Sequence, residues 1–534
     1  MTKYLLKRLL HGVLSIIAVV AIVMILVYTL MDREIIFASD PTFSKVKSNA
    51  KITYMHQQWE QYGYLDYVPY SDYINELYRN GEIATEEERA EVVSIARKEK
   101  DADGNPNDSE KVRAYIQKFT DYYKSKGYTI VRRDAETSAN RVVPGGSQIL
   151  FATKDKPVIL RLFNYFAHLF TIDNIHYTEK ETDVAVENPG LTFTLKDPLY
   201  GGNRFSPAII GNGTRHKYLL YFDNQFPFVH QNLITLQLGK SYTVNMGVDV
   251  FDTMVDSQGS YVKRMLSYPT GYAPEDGVAE DLHTATYAAG SRELIGNNKL
   301  YTDDYTNCNL YRSGMSKMGY SFVIGILASV MAYLLGVPLG ILMARRKDKF
   351  IDKLGTVYIV FIIAVPSLAY IFLFKAIGGK IGLPTTFLMD SSDKLMFILP
   401  IVSLALPSVA SLMKWLRRYM IDQMNSDYVR FARAGGLSER EIFNKHILKN
   451  AVIPIVHGIP ASILGALTGA IITERVYVVP GAGNLLTTAI NTYDNAVIVG
   501  VTLFYAVLSV LSVILGDILM AMVDPRISFT TKAR

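Results

Sequence analysis

Cysteine is nearly missing from this chain. Only Cys308 occurs among 534 residues, so no intrachain disulfide can form and any polar domain must hold together by its core. That usage suits a bacterial cell surface and argues against a eukaryotic secreted module. Zinc-ligand spacing, a nucleophile elbow and a metalloprotease helix are missing as well, which leaves no catalytic constellation, no metal set and no cofactor site on this chain. A phosphate loop is also missing. Gly239-Lys240-Ser241 has the right ending, but the motif needs a glycine five residues before Gly239, and Ile234 stands there. Pro480-Gly481-Ala482-Gly483 fails likewise and reads as a shaped turn. Neither sign of charge dominates: 55 Lys and Arg stand against 50 Asp and Glu, and the net of +5 is too small to point to nucleic-acid binding. The run Glu86-Glu87-Glu88 reads as a solvated helix face, not a cation site.

Long apolar runs, by contrast, are plentiful. Six uncharged runs approach or exceed the ~20 residues needed to cross a bilayer: Gly12 to Leu30, Met318 to Ala344, Leu354 to Phe374, Leu395 to Met413, Ala451 to Thr473 and Ala496 to Gly516. Gly12 to Leu30 is longer than the about 7 to 15 apolar residues of a signal peptide and no clear A-x-A site follows, so it predicts an anchoring first span. Counted on alternate sides, the short connections and termini carry about nineteen Lys and Arg on one side and about four on the other, which places the richer side in the cytoplasm. Both termini then lie inside and the large polar block after the first span lies outside. The expected organisation is residues 1–31 as cytoplasmic N-terminus and first span, 32–315 as an extracellular domain, and 316–534 as the remaining spans with a cytoplasmic loop at about 416–450.

Small residues recur every four positions in two spans, as Ala332, Gly336, Gly340 and Ala344 in the second and Ala461, Gly465 and Gly469 in the fifth. Such stripes predict close helix contacts, because membrane helices lack a hydrophobic drive toward one another and associate by packing. Prolines in or beside the spans free backbone carbonyls that must face protein or a wet cavity. Candidate pathway-lining residues are Tyr358, Ser367 and Tyr370 in the third span, Ser403, Ser408 and Ser411 in the fourth, and Ser462 and Thr468 in the fifth. The alternative for each is a hydroxyl bonded to its own helix or a tyrosine anchored by packing. His457 is expected to be a hydrogen-bonded packing residue, and Asp517 to brace the sixth span.

The polar block reads as mixed α+β. Charge and apolar spacing predict helices over Glu86 to Lys100 and Ser109 to Lys126, with strands and irregular runs from about Thr129. Turns are expected at Pro144-Gly145-Gly146, Gly201-Gly202-Asn203 and Gly211-Asn212-Gly213. Pro157 to Phe170 fits either a helix lying on the membrane interface or an ordinary buried helix.

The most informative stretch is Asn425 to Pro454, a soluble helix-turn-helix between two spans. Its first helix is expected to stop at Gly435 and Gly436, which can adopt the left-handed conformation that ends helices. Ser438 and Glu441 have capping-box spacing for the start of the second. Helices this short are unstable alone and must dock, with Tyr428, Phe431, Leu437, Ile442 and Phe443 as the apolar contacts and Arg430, Arg433, Arg440 and Lys445 as a basic, wet surface.

This stretch resembles the EAA coupling loop of permease subunits in ATP-driven (ABC) importers, and in particular the B-type permeases of oligopeptide transporters. The family's signature glycine corresponds to Gly436 and its closing proline to Pro454, while the acidic residue that names the motif is replaced by the triplet Arg430, Phe431 and Ala432. The likeness continues through Thr473 to Leu486 and Gly516 to Ile527, and covers the KYLLKRLL start. Asn232 to Tyr242 is similar to the segment before the second span of such permeases, and His216 to Asn232 resembles the enlarged loop of Ami-type streptococcal peptide permeases. The resemblance implies a membrane all-α protein with six transmembrane helices of the type I ABC importer permease fold and an inserted extracellular α+β domain between the first two. It implies ATPase contact through Tyr428, Arg430, Phe431, Arg433, Gly435, Gly436, Leu437, Ser438, Glu441 and Pro454. The implied partners are a second, C-type permease, two ATPase subunits of D and F type that hold ATP and magnesium, an extracellular peptide-binding lipoprotein, and membrane lipid. A relative carrying nickel or another small solute, a membrane-anchored surface sensor or adhesion protein, and an ion-coupled carrier are the other readings.

Overall fold

A computed structural model describes residues 2–95, 108–139, 141–172, 190–196, 205–212, 218–222, 227–229, 234–255, 258, 261–265, 308–312, 314–388 and 393–523. Thr2–Leu30 is one uninterrupted helix, since no proline interrupts its aliphatic run and its one glycine, Gly12, is tolerated where Val510 packs on it. The second long helix, Lys317–Arg345, starts where the Ser316 hydroxyl accepts from the Gly319 amide at 3.0 Å. The third apolar run is not one rod. Phe350–Ala364 and Ser367–Lys380 meet at 111° because the proline at 366 forces Val365 into extended backbone.

Ile398–Met424 follows, and then the expected fifth run is broken at Gly458 into Lys449–His457 and Ile459–Tyr477. The C-terminal helix is Asn495–Val523. Among the described residues five helices are long and apolar enough to cross a membrane, or six if the bent pair is counted as one span.

The two small-residue stripes part company. That of the second span is buried against the fourth: a Cβ on Gly336 would lie 2.9 Å from Leu412 Cβ, and one on Gly340 would lie 3.2 Å from Leu416 Cβ. The expectation for the fifth span fails within this chain. Ala461 and Gly465 are exposed, a Cβ on Gly465 would meet nothing within 4 Å, and Gly469 lies outside the described side chains. The walls from the first and sixth spans stand off here, leaving a cavity of about 530 Å³ bordered by Ser15, Gly465, Thr502 and Tyr505.

Between the first and second spans the described residues are mixed helix and sheet. A three-stranded antiparallel sheet is ordered Leu65–Pro69, Ile149–Asp155, Thr129–Arg133, and Tyr70–Arg79 and Glu110–Ser125 pack on it through Tyr70, Ile74, Phe119, Leu150 and Ala152. Ser109 caps the second of these helices on the Val112 amide at 3.2 Å. The first predicted helix runs only over Glu86–Val93, and residues 96–100 lie outside the described residues, as does the turn expected at Gly201 to Asn203. Pro144-Gly145 does turn, with φ of 77° at Gly145. A second sheet is ordered Pro227–Val229, Tyr218–Phe222, Phe205–Asn212, Gly190–Lys196.

Candidate functional site

The hairpin begins with the helix Asp427–Ala434, whose first-turn Asp427 suits the positive end of the helix dipole. The chain turns at Gly436, which alone of the glycine pair takes a left-handed φ, 81°; Gly435 stays at −75°. The difference follows from the turn, which needs one residue past the barrier that a Cβ imposes. The capping box is formed: the Glu441 amide donates to Ser438 Oγ at 3.3 Å and the Ser438 amide to Glu441 Oε2 at 3.3 Å. After Glu439–Glu441 the helix widens into a π segment, Ile442–Leu448, before resuming at Lys449. π helix is rare and occurs mostly as single turns, so seven residues of it mark an unusual local geometry.

One face of this hairpin is locked down. Val429, Ile442, Phe443 and Ile447 are buried in a single cluster with Ala344 of the second span and Leu416 and Met420 of the fourth. The Tyr428 hydroxyl bonds to Gln423 and accepts from Asn450 Nδ2 at 3.0 Å, tying both arms together. The other face is bare. Phe431 is 76% exposed and Leu437 38%, so these two do not supply the docking contacts expected of them; they point away from the spans that the hairpin sits on. Arg430, Arg433, Gly435, Gly436, Ser438 and Arg440 are exposed beside them. Arg433 reaches across the turn to Glu439, Nε to Oε1 at 2.6 Å, and holds that carboxyl below its ordinary pKa. Glu441 is likewise held low, first by the Ser438 hydroxyl, then by its amide and Lys445. Pro454 sits further on, exposed on Lys449–His457 and away from the turn.

The spans carry this hairpin on ionic ties that sequence reasoning missed. Arg417 grips Asp352 with two bonds, 2.5 and 2.7 Å, joining the fourth helix to the start of the third. Asp517 does brace the sixth helix, accepting from Tyr4 at 3.0 Å and pairing with Arg8 at 3.0 Å on the first. His457 packs at the sixth helix beside Gly516, and its buried Nδ1 has no hydrogen-bond partner among the described residues.

At the opposite end of the helices stand two buried carboxylates. Glu474 accepts from Ser321 Oγ at 2.5 Å and the Asn484 amide at 3.0 Å, and Gly481 and Gly483 pass so close that a Cβ on either would fall within 3.0 Å of it. Asp494 Oδ2 accepts four bonds, from Ser241 Oγ and the amides of Tyr242, Thr243 and Val244, at 2.7 to 3.1 Å. Its Oδ1 caps the last helix on the Val497 amide at 3.2 Å. Residues 241–244, directly after Gly239-Lys240, therefore build an anion cradle, but the anion is a side chain of the same protein. An acid just before an apolar helix is the sequence signal that was available for Asp494.

Of the candidate lining residues, several are turned into the bundle. Tyr358 donates to the Leu406 carbonyl at 2.7 Å, Ser403 bonds Tyr477 at 2.8 Å, Ser462 bonds Tyr333 at 3.0 Å, and Tyr370 is buried among Tyr320, Phe387 and Leu399. Ser367 and Ser408 are half-buried and Ser411 is exposed; the side chain of Thr468 lies outside the described residues. The coupling and lining candidates do not form one site, since the hairpin occupies one end of the helices.

Comparison with known proteins converges on one family. Residues 336–529 match the family described as binding-protein-dependent transport system inner membrane component. The chain is 35% identical to the oligopeptide transport system permease protein AmiC of Streptococcus pneumoniae, over 100% of this chain and 99% of that protein. It is 32% identical to the dipeptide transport system permease protein DppB of Lactococcus lactis over 42% of this chain and 73% of that one, and 28% identical to the oligopeptide transport system permease protein OppB of Haemophilus influenzae over 39% and 69%. The match to AmiC runs the full length of both chains, and the chain belongs to the binding-protein-dependent ABC transport permeases, in the branch that holds the peptide-transport permeases.

Proposed function

We propose that this chain is the transmembrane subunit of an ATP-driven oligopeptide importer. It hydrolyses nothing itself and forms the translocation pathway with a second, C-type permease. The observation that carries this reading is the two-faced hairpin: Val429, Ile442 and Ile447 anchor it to the spans while Arg430, Phe431, Arg433 and Leu437 stand uncovered for another protein. Two ATPase subunits, of D and F type and carrying ATP and magnesium, would grip that uncovered face in the cytoplasm. Their closure would push the hairpin and, through the Asp352–Arg417 tie, move the third and fourth spans together.

The topology we infer has six transmembrane helices with both termini cytoplasmic in a bacterial plasma membrane, counting the bent pair as one crossing. Residues 32–315 form an inserted extracellular domain. It serves as the platform for a peptide-binding lipoprotein, and its many tyrosines suit a contact surface. The pathway is lined on this chain by Ser367, Ser408, Ser411 and the open stripe at Ala461 and Gly465, with Thr468 on the same helix. Tyr358, Tyr370, Ser403 and Ser462 brace the wall behind them.

Purification in mild detergent, followed by identification of co-purifying chains, tests the assembly. Two ATPases and a second permease are expected, and their absence would remove the reading. In the assembled complex, Gly436→Trp is expected to abolish peptide uptake and peptide-stimulated ATP turnover while leaving membrane insertion intact. Deleting much of 86–126 is expected to weaken association with the binding lipoprotein.

A further inference from the structure

The sequence allows Pro157 to Phe170 either a membrane surface or a buried core, and the helix found there, Val158–Ala167, is in no core: none of its residues is buried. Its side chains fall into three sectors. Leu162, Tyr165 and Phe166 pack on the cluster that contains Val20 and Met24 of the first span and Val499 of the last. Arg161, Asn164 and His168, spaced i, i+3 and i+7, share a polar side. Arg161 ties that side to the polar domain, its Nε donating to the Lys156 carbonyl at 2.9 Å and its Nη2 to the Tyr64 carbonyl at 2.7 Å. On the remaining sector Ile159 and Phe163, spaced i and i+4, are 77% and 69% exposed, and Leu160 beside them is 44% exposed. No charged side chain lies in that sector.

The height of the helix along the first span decides what meets the bare sector. Met24 and Tyr28 border the same cavity as Arg161 and Tyr165, and Asp32 is the first charged residue after the apolar run. At a rise of about 1.5 Å per residue, Met24 and Tyr28 lie about 12 and about 6 Å inside that charged end. Interfacial helices sit about 5 to 10 Å into the boundary between headgroups and acyl chains, so this helix lies at the height where a bilayer begins. Ile25 and Leu26 of the first span, at the same height, are 43% and 49% exposed, as side chains left for lipid are. A partner protein would need more room. Ten helical residues are about 15 Å long, and one face about 10 Å wide offers on the order of 150 Å², against the about 800 Å² that each partner gives to a stable protein interface. A lipid surface sets no such minimum.

We propose that Val158–Ala167 is an interfacial helix whose Ile159, Leu160 and Phe163 sector lies among the acyl chains at the membrane surface, while Arg161, Asn164 and His168 face the polar domain and water. The helix thereby seats the domain between the first two spans on the bilayer. The groups around Arg161 fit that level. Its guanidinium lies 5.5 Å from the ring of Tyr28, on the span, and 4.6 Å from that of Tyr64, on the domain, and tyrosines gather where membrane meets water. The aliphatic stem of such an arginine follows the apolar surface while its head stays at the polar level. The inference rests on the multi-pass membrane placement, and on the topology inferred above only for which leaflet the helix meets.

The test uses the full chain in its purified complex, reconstituted in vesicles of phosphatidylglycerol and phosphatidylcholine. Ile159→Cys and Phe163→Cys, each in a Cys308→Ser background, carry a bimane label, and Tyr122→Cys, on an exposed face of the polar domain, serves as the control. Lipid brominated along its acyl chains is expected to quench the labels at 159 and 163 and spare the one at 122, and aqueous iodide to do the reverse. On the unaltered protein, a photoactivatable apolar probe dissolved in the bilayer should label 158–163 together with the first span, which covers the case in which a variant fails to fold. Quenching by iodide in place of brominated lipid would put the sector in water, and protection from both quenchers would put it under a partner chain; either result overturns the proposal. So does a probe that labels the first span and leaves 158–163 untouched. Neither readout depends on peptide uptake or ATP turnover, so this inference and the transport reading can fail separately.

Discussion

The hairpin and the far end of the helical bundle treat charge in opposite ways. On the hairpin itself the paired acids are exposed: Glu439 answers Arg433, and Glu441 answers Ser438 and Lys445, while the one buried acid beneath it, Asp352, belongs to the spans. At the far end Glu474 and Asp494 are both 0% exposed and held by several donors each. Exposed pairs contribute little and exchange partners readily, whereas a buried carboxylate fixes every donor around it. The hairpin's pairs are thus free to exchange, whereas the buried carboxylates keep the chain's own segments in register. Asp494 is the clearest case, because it holds residues 241–244 more than two hundred positions away in sequence against the start of the last helix.

The sharpest way to break that contrast is to remove a buried carboxylate. Asp494→Ala strands the Ser241 hydroxyl and four amides, and a loss of about 3 kcal/mol or more is expected for that many buried donors left unmet. Thermal unfolding of the purified protein should show it as the largest fall in melting temperature of any variant here. Gly483→Val should act on the other carboxylate by steric means, since its Cβ would sit 3.0 Å from Glu474 Oε2 and 2.7 Å from Ile471 Cα. A melting temperature unchanged by either variant would mean that these carboxylates do not organise this end.

A second contrast lies within the membrane. Gly336→Leu must push apart the second and fourth spans, where the room is already used by Leu412, and a cost of about 1 to 3 kcal/mol follows from overpacking. Gly465→Leu enters open space and should leave melting unchanged while reducing uptake in the assembled transporter, if the stripe lines the pathway. A matched loss of stability in both would show that the fifth-span stripe packs within this chain after all.

How much of this was legible follows a physical divide. The six apolar runs, the capping box at Ser438 and the second-span stripe are local patterns, and each repeats at a spacing that one helix dictates. What stayed hidden depends on which segments meet. Nothing local told the Ala332 stripe, which finds Leu412 and Leu416, from the Gly465 stripe, which finds a cavity. Phe431 and Leu437 are expected to dock because apolar side chains usually bury, and on the coupling surface proposed above they stay exposed. The bend at Pro366 and the break at Gly458 were signalled by the residues themselves, but hydropathy windows average over them.

The hairpin gives the smallest effects on stability. Ser438→Ala removes the hydroxyl that accepts from the Glu441 amide, a change worth about 1 kcal/mol of local helix stability, and hydrogen exchange over 439–448 should quicken while the melting temperature barely moves. The pH dependence has a definite sign. Glu439 and Glu441 are held below the ordinary value of 4.5, so their contribution is whole above that pH and fades as pH falls through the depressed values. Exchange over the hairpin should therefore be flat from neutral pH down to about 5, after correction for the intrinsic rate, and rise only in stronger acid. Exchange over the hairpin that quickened already between neutral pH and about 5 would mean that Glu439 and Glu441 do not hold the turn.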